Sequence, residues 1–162
     1  MIIRVLVTLT GANTMNVSDV MIKDVKSCHP NSSLQDIAIT MWNEDCGSVL
    51  VIDEQNKLVS IVTDRDIAMA AALKNKALCD ISASEVTGDH PVFTCNPSDD
   101  VHIALDIMQF NKIRRLPVVT DEGELTGILS VGDVVSATAL GDDADLSASD
   151  TINTLKSVFT HH

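Results

Sequence analysis

The sequence predicts a mixed α/β fold built from two copies of one β-α-β-β-α unit. Three observations carry that expectation. Shifted by 67 positions, Val25–Ala68 runs onto Val92–Val135 without insertion or deletion, and eight positions are identical, Cys28/Cys95, Pro30/Pro97, Met41/Met108 and Asp66/Asp133 among them. Within each copy the apolar spacing switches between helical and strand periods in the same order. With 45% hydrophobic residues over 162 positions, the chain has core material for one domain or for two halves sharing a core. Two copies are too few to stack as a solenoid, so they are expected to bury their apolar faces against each other.

Residues 1–16 read as an N-terminal extension. Its apolar start carries Arg4 and lacks the length and cleavage site of a secretory signal, and Met15 offers an alternative start. The first copy spans residues 17–73. A short strand is expected around Val25. After Pro30, the run Asn31-Ser32-Ser33 can cap a helix, because short polar side chains accept from its unpaired N–H groups. Leu34, Ile37, Ala38, Met41 and Trp42 then recur on one face. Ser48–Asp53 and Leu58–Thr63 read as a hairpin across Glu54-Gln55-Asn56-Lys57. A second helix runs from Thr63 through Leu73.

A connector, residues 74–83, contains Ile81 and leads to the second copy, residues 84–139. There a strand is expected around Val92, followed after Pro97 by a helix starting at Ser98-Asp99-Asp100, with Val101, Ala104, Leu105 and Met108 on one face. Leu116–Thr120 and Leu125–Ser130 form the second hairpin, and a helix runs from Ser130 through Ala139. Pro117 has no N–H to give a ladder and belongs at a strand's first residues or on an edge. Asp19-Val20-Met21 resembles Glu85-Val86-Thr87 at a shift of 66. The remainder, residues 140–162, reads as an acidic linker over Gly141–Asp150 and a short amphipathic helix over Thr151–Phe159, through Ile152, Leu155 and Phe159.

The formal charge is −12, from 23 acidic against 11 basic side chains. Nucleic acid needs Lys and Arg to neutralise phosphates, so this balance argues against it, and equally against an anionic membrane surface. An anion bound here must be held by a local arrangement against the overall field. No apolar run approaches the roughly 18–20 residues that span a bilayer. The four cysteines, at 28, 46, 79 and 95, form no Cys-x-x-Cys. Cys28 and Cys95 are equivalent, which suggests packing, and a cytoplasmic location is the natural reading. The histidines lack metal-ligand spacing. Without a Walker loop, a Gly-x-Ser-x-Gly or a metal cluster, nothing points to an enzyme or to catalytic residues.

Chemistry concentrates where each hairpin ends. Thr63-Asp64-Arg65-Asp66 and Ser130-Val131-Gly132-Asp133 both place a carboxylate three positions after a hydroxyl. One reading is structural: hydroxyl and acid cap a helix and sit well with its dipole. The other is functional: a helix N-terminus at a sheet edge can meet a phosphate, and the carboxylate can accept both hydroxyls of a ribose. The two are compatible.

These segments, with Ser-Val-Leu-Val-Ile-Asp at 48–53 and Leu-Pro-Val-Val at 116–119, resemble a tandem pair of cystathionine-β-synthase (CBS) domains, the Bateman module, over roughly Val17–Ala139. The resemblance implies two repeats packed sheet to sheet with pseudo-twofold symmetry, and two clefts between them. It implies an adenosine nucleotide (AMP, ADP or ATP) or a related adenosyl compound as ligand, with no required cofactor. The ribose-binding acids then fall on Asp66 and Asp133, and the phosphate-side hydroxyls on Thr63 and Ser130. The adenine faces fall on Lys23, Asp24 and Val25 for one cleft and on His90, Pro91 and Val92 for the other.

Lys112, Arg114 and Arg115 form either a solvated turn or a phosphate contact. Arg115 matches a position so used in relatives. The first copy has Gly47 and Ser48 there and must rely on Arg65, so unequal sites are expected. The expected function is regulation: sensing an adenosine compound and acting in trans on an enzyme or transporter, as a homodimer, with no membrane insertion. The alternative is a dimerisation or docking scaffold with empty clefts.

Overall fold

The computed structural model describes residues 2–4, 15–88, 91–140 and 148–159. In chain order these hold β1 (Ile2–Arg4), α1 (Val17–Val20), β2 (Ser27–Cys28), α2 (Leu34–Asn43), β3 (Ser48–Ile52), β4 (Leu58–Thr63) and α3 (Asp64–Leu73). A 3-10 turn at Leu78–Asp80 precedes α4 (Ser84–Thr87), β5 (Val92–Thr94), α5 (Val101–Asn111), β6 (Arg115–Val119), β7 (Leu125–Ser130), α6 (Val131–Leu140) and α7 (Ala148–Phe159). The mixed α/β class expected from the repeat is the class observed.

The chain divides into two compact units. The first is built mainly from Asp24–Val92 with Gly123–Leu125; the second from Phe93–Glu122 and the described residues from Thr126 on, with the described part of Ile3–Lys23. In the first unit, Leu34, Ile37 and Met41 of α2 meet Val49 and Val51 of β3, Val62 of β4 and Ile67 of α3. In the second, Val101, Leu105 and Met108 of α5 meet Leu116 and Val118 of β6 and Leu129 of β7. Burying each such side chain contributes about 1.5–3 kcal/mol, so these aliphatic clusters hold each unit.

Trp42 departs from expectation. The buried stripe of α2 runs through positions 34, 37 and 41, and Trp42, about 100° further round the helix, is 86% exposed.

The repeat extends to backbone geometry. Asp45 and Lys112, equivalent positions just after α2 and α5, both take left-handed φ, 48° and 54°. So do Asn56 (58°) and Gly123 (86°) in the hairpin turns, where asparagine and glycine tolerate that region best.

The strand expected near Val25 forms two residues later, as β2. It runs parallel to β3, with Ser27 opposite Leu50 and Cys28 opposite Val51, and the Leu50 N–H donates to Lys26 O at 3.1 Å. In the second unit Pro117 replaces Leu50 and has no N–H to donate. Only the Cys95–Val118 bridge survives there, through Cys95 N–H to Pro117 O at 3.2 Å and Val119 N–H to Cys95 O at 2.9 Å. β5 consequently does not join β6 and β7, and is paired with β1 instead. Pro117 stands third in β6, and β6, whose sheet contains only β7 besides, is an edge strand, one of the two places expected for it.

The similarity between Asp19-Val20-Met21 and Glu85-Val86-Thr87 marks an exchange of segments. α4, which follows the first repeat, packs in the first unit, while α1, which precedes that repeat, packs in the second. Three hydrogen bonds recur: Val17 N–H to Asp99 O matches Ala83 N–H to Ser32 O, Ser18 N–H to Pro97 O matches Ser84 N–H to Pro30 O, and Val101 N–H to Met15 O matches Leu34 N–H to Ile81 O. Each unit is thus completed by the leader of the other repeat.

The tail helix α7 starts at Ala148, three residues earlier than expected, and docks on α5 and α6. Its inward row is Thr151, Thr154, Leu155 and Val158, whereas Ile152 and Phe159 are about half exposed. Polar residues dock because α5 satisfies them: Gln109 Nε2 donates to Thr154 Oγ1 at 2.8 Å, and Ser157 Oγ donates to Gln109 O at 3.2 Å. The linker expected over Gly141–Asp150 lies mostly outside the described residues. Among the described residues, no helix is long and apolar enough to cross a membrane.

Candidate ligand-binding site

Each hairpin's last strand hands its final hydroxyl residue to the next helix as a cap. At α3, Thr63 is extended (φ −112°, ψ 163°). Asp66 Oδ2 receives the Thr63 N–H at 2.8 Å and the Thr63 hydroxyl at 2.7 Å, while the Asp66 N–H donates to Thr63 Oγ1 at 3.3 Å. At α6 the arrangement repeats: Asp133 Oδ2 receives the Ser130 N–H at 2.7 Å and its hydroxyl at 2.6 Å, and the Asp133 N–H donates to Ser130 Oγ at 3.3 Å. The capping reading is therefore realised twice. All these donors converge on one carboxylate oxygen. Among the described residues no protein donor engages Oδ1 of either half-buried Asp, so each can also accept from a diol.

The two units differ in what surrounds this motif. In the second, a cavity of about 300 Å³ is lined by Arg114, Arg115, Ser130, Val131, Gly132, Leu155 and Phe159. The Val131 N–H is taken by Arg114 O at 3.1 Å. The Gly132 N–H, in the first turn of α6, has no protein acceptor among the described residues. Two arginines and the positive end of a ten-residue helix thus line one space, a combination that favours an anion. Lys112, third of the basic cluster, is used differently: it ends α5 in the left-handed conformation and is exposed.

In the first unit a cavity of about 540 Å³ is lined by Met41, Trp42, Asp45, Cys46, Gly47 and Asp64. It holds two carboxylates and no base, which disfavours phosphate. Gly47 and Asp64 stand where the second unit has Arg114 and Val131. Arg65 is exposed and does not line this cavity, and its N–H donates to Asp64 Oδ1 at 2.7 Å. No helix equivalent to α7 closes this face among the described residues.

The positions expected on the adenine side separate likewise. Lys23 belongs to the second unit, with Arg114, Arg115, Ser130 and Asp133; Asp24, Val25, Pro91 and Val92 belong to the first, with Thr63, Arg65 and Asp66. Lys23 and Asp24 are exposed, Val25 is half-buried, Pro91 is exposed and Val92 is buried. His90 lies outside the described residues. Ile22 pairs with Ile128 by two reciprocal hydrogen bonds of 2.9 and 3.0 Å, which brings the leader beside β7, two residues before Ser130. Gly127 permits this approach: a Cβ there would lie 2.8 Å from Ile22 O and from Met21 Sδ. The first copy has Ser60 at that position, buried with its Oγ unpartnered among the described residues.

Sequence reasoning missed Gly127, Gly132, Leu155 and Phe159. The two glycines carried a signal, since each breaks the repeat where its counterpart bears a side chain, Ser60 and Arg65. Leu155 and Phe159 read only as a tail-helix face.

Cys28 and Cys95 occupy equivalent places in the two units, as their spacing suggested. Burial pushes the Cys95 thiol up to about 12, helped by the nearby Asp99 charge, and burial also raises Cys28. Both therefore stay protonated and act as packing groups. Among the described residues no group of His, Cys, Asp and Glu is arranged to hold a metal ion.

The architecture and the doubled cap agree with comparison to known proteins. The CBS domain family model matches residues 17–73 and 83–139. This chain belongs to the CBS domain family, as a tandem pair. An uncharacterized 17.7 kDa protein of Acidianus ambivalens is 36% identical over 121 residues, covering 75% of this chain and 71% of that protein. The crystal structure of the CBS domain pair of protein MJ0100, in complex with 5′-methylthioadenosine and S-adenosyl-L-methionine, superposes with a TM-score of 0.70 at 26% identity, covering 78% of this chain and 97% of that one. The CBS domain protein PAE2072 from Pyrobaculum aerophilum, complexed with AMP, gives 0.67 at 25% identity, covering 74% and 90%. The chain spans 62% of the length of another curated relative, from Methanopyrus kandleri.

Proposed function

We propose that this protein is a regulatory module that binds an adenosine compound of the AMP, ADP or ATP class, and that the second unit holds the stronger site. The observation that carries the reading is the conjunction at α6: a capping carboxylate with one unengaged oxygen, in the same unit as a cavity walled by Arg114, Arg115 and Ser130. Asp133 accepts the ribose hydroxyls, the guanidinium groups and the start of α6 receive phosphate, and Lys23 belongs to the adenine side. Adenosyl ligands in two related CBS pairs support this assignment. Thr63 and Asp66 form the weaker counterpart, in which Arg65 is the available base; Asp24 and Val25 go with Lys23 on the adenine side of one cleft, and His90, Pro91 and Val92 on that of the other.

The module acts in trans on an enzyme or transporter, as a regulator and not as the catalyst. A ligand regulates only by binding two conformations unequally, so the effect resides in a rearrangement that nucleotide stabilises. Four free thiols suit a reducing cytoplasm. Self-association belongs to the same reading, supported by the exposure of Trp42 (86%), Leu73 (73%) and Phe110 (89%). Native mass spectrometry of the protein as purified from cells reads both retained nucleotide and oligomer, and a thermal-shift panel of adenosine, AMP, ADP, ATP and S-adenosylmethionine ranks the ligands. A panel in which none stabilises the protein leaves the docking scaffold as the function.

A further inference from the structure

The tail helix α7 does more than cover α5 and α6. Its last residue, Phe159, presents its ring to the Arg114 guanidinium, 5.2 Å from the ring centroid. Both side chains line the cavity at the start of α6. Phe159 remains 55% exposed, so ordinary core burial does not account for its placement. A guanidinium resting on an aromatic face has its N–H fork directed outward in its own plane, still able to bind a phosphate in bidentate fashion. The stack also removes rotamer freedom from Arg114, whose equivalent in the first copy is Gly47.

We infer that Phe159 is a positioning residue for phosphate recognition, and that α7 is the element whose docking reports an occupied site. This deepens the nucleotide-binding reading above and rests on it. The phosphate and the ring engage different parts of one guanidinium, so they cooperate. By linkage, nucleotide tightens α7 on its unit by the same factor by which docked α7 tightens nucleotide. The second unit thereby couples a ligand to the chain's C-terminal segment, and the first, with no such helix among its described residues, does not.

The test is calorimetric titration of the full chain with AMP and with adenosine, for wild type, Phe159→Ala, Phe159→Leu and Phe159→Tyr. A cation–π contact at an exposed site corresponds to about a two- to fivefold change in affinity. We expect Phe159→Ala and Phe159→Leu to weaken AMP by that factor and leave adenosine unchanged, with Phe159→Tyr restoring wild-type affinity. Amide hydrogen exchange over residues 151–159 should slow when AMP is added to wild type. Equal AMP affinity in wild type and Phe159→Leu, or equal losses for AMP and adenosine, overturns the role of Phe159 while leaving nucleotide binding intact. A wild type with no affinity for AMP or adenosine overturns the nucleotide reading and this inference together.

Discussion

Replacing Asp133 separates its two duties. Its Oδ2 takes the Ser130 N–H at 2.7 Å and the Ser130 hydroxyl at 2.6 Å, so truncation to alanine leaves both donors unpaired at the start of α6. Loss of such a cap costs about 0.5–2 kcal/mol of stability. In the bound state the same carboxylate is asked to accept a ribose diol, and losing charge-assisted bonds costs about 1.5–3 kcal/mol, roughly a 10- to 150-fold rise in Kd. Asp133→Asn keeps an acceptor for the Ser130 N–H but loses the charge. It should stay within about 1 kcal/mol of wild-type stability while still binding AMP less tightly than wild type. Urea unfolding without ligand reads the first duty, and calorimetric titration with AMP reads the second. If Asp66→Ala and Asp133→Ala both titrate like wild type, the carboxylates are caps and nothing more.

Three further outcomes follow from the same geometry. Gly127→Ala drives a methyl to 2.8 Å from Ile22 O. It should cost about 1–3 kcal/mol, as overpacking does, and lower Tm by several degrees, because the clash is with backbone that cannot swing aside. Leu50→Pro imposes on the first unit what Pro117 imposes on the second: the 3.1 Å bond to Lys26 O is lost, and urea unfolding should shift by about 1–3 kcal/mol. For Cys95, the thiol is raised from 9.0 unfolded to about 12 folded, so the folded state binds more protons between those values. The contribution is complete below pH 9 and fades as pH climbs toward 12, by up to about 1.4 kcal/mol per pH unit. Cys95→Ala should flatten that part of a stability-versus-pH curve, after allowing for its own cavity cost.

The helices and hairpins could be read from the chain because local rules agreed with one another. Ser33 and Asp100 cap α2 and α5 as short polar residues should. The apolar rows at 34, 37, 41 and at 101, 104, 105, 108 bury as their period demands. The doubled Thr/Ser-x-x-Asp was visible as a pattern and formed as a cap at both places. What escaped depended on distant partners. Trp42 lies beside a buried row, and only the stripe actually covered shows it to be outside. Pro117 announced a missing N–H, but its consequence, the loss of a strand pairing that β2 retains, requires knowing that the absent hydrogen faces Phe93-Thr94-Cys95.

The repeat dictated much of this molecule before any folding is considered. Equal spacing writes the same caps, hairpins and left-handed turns twice, because each is a contract among residues within a few positions of one another. Part of the inequality between the copies is also written in the chain, in Arg114 and Arg115 against Gly47 and Ser48; the rest came from long-range packing. Segment exchange brought Ile22 against Gly127, and the tail helix brought Phe159 to Arg114, pairings separated by 105 and 45 positions respectively. No periodicity encodes such contacts. They exist because α1 and α7 had faces to bury, that of α7 half threonine, and found their complementary surfaces in the second unit, and that burial gave the two copies of one motif chemically different surroundings.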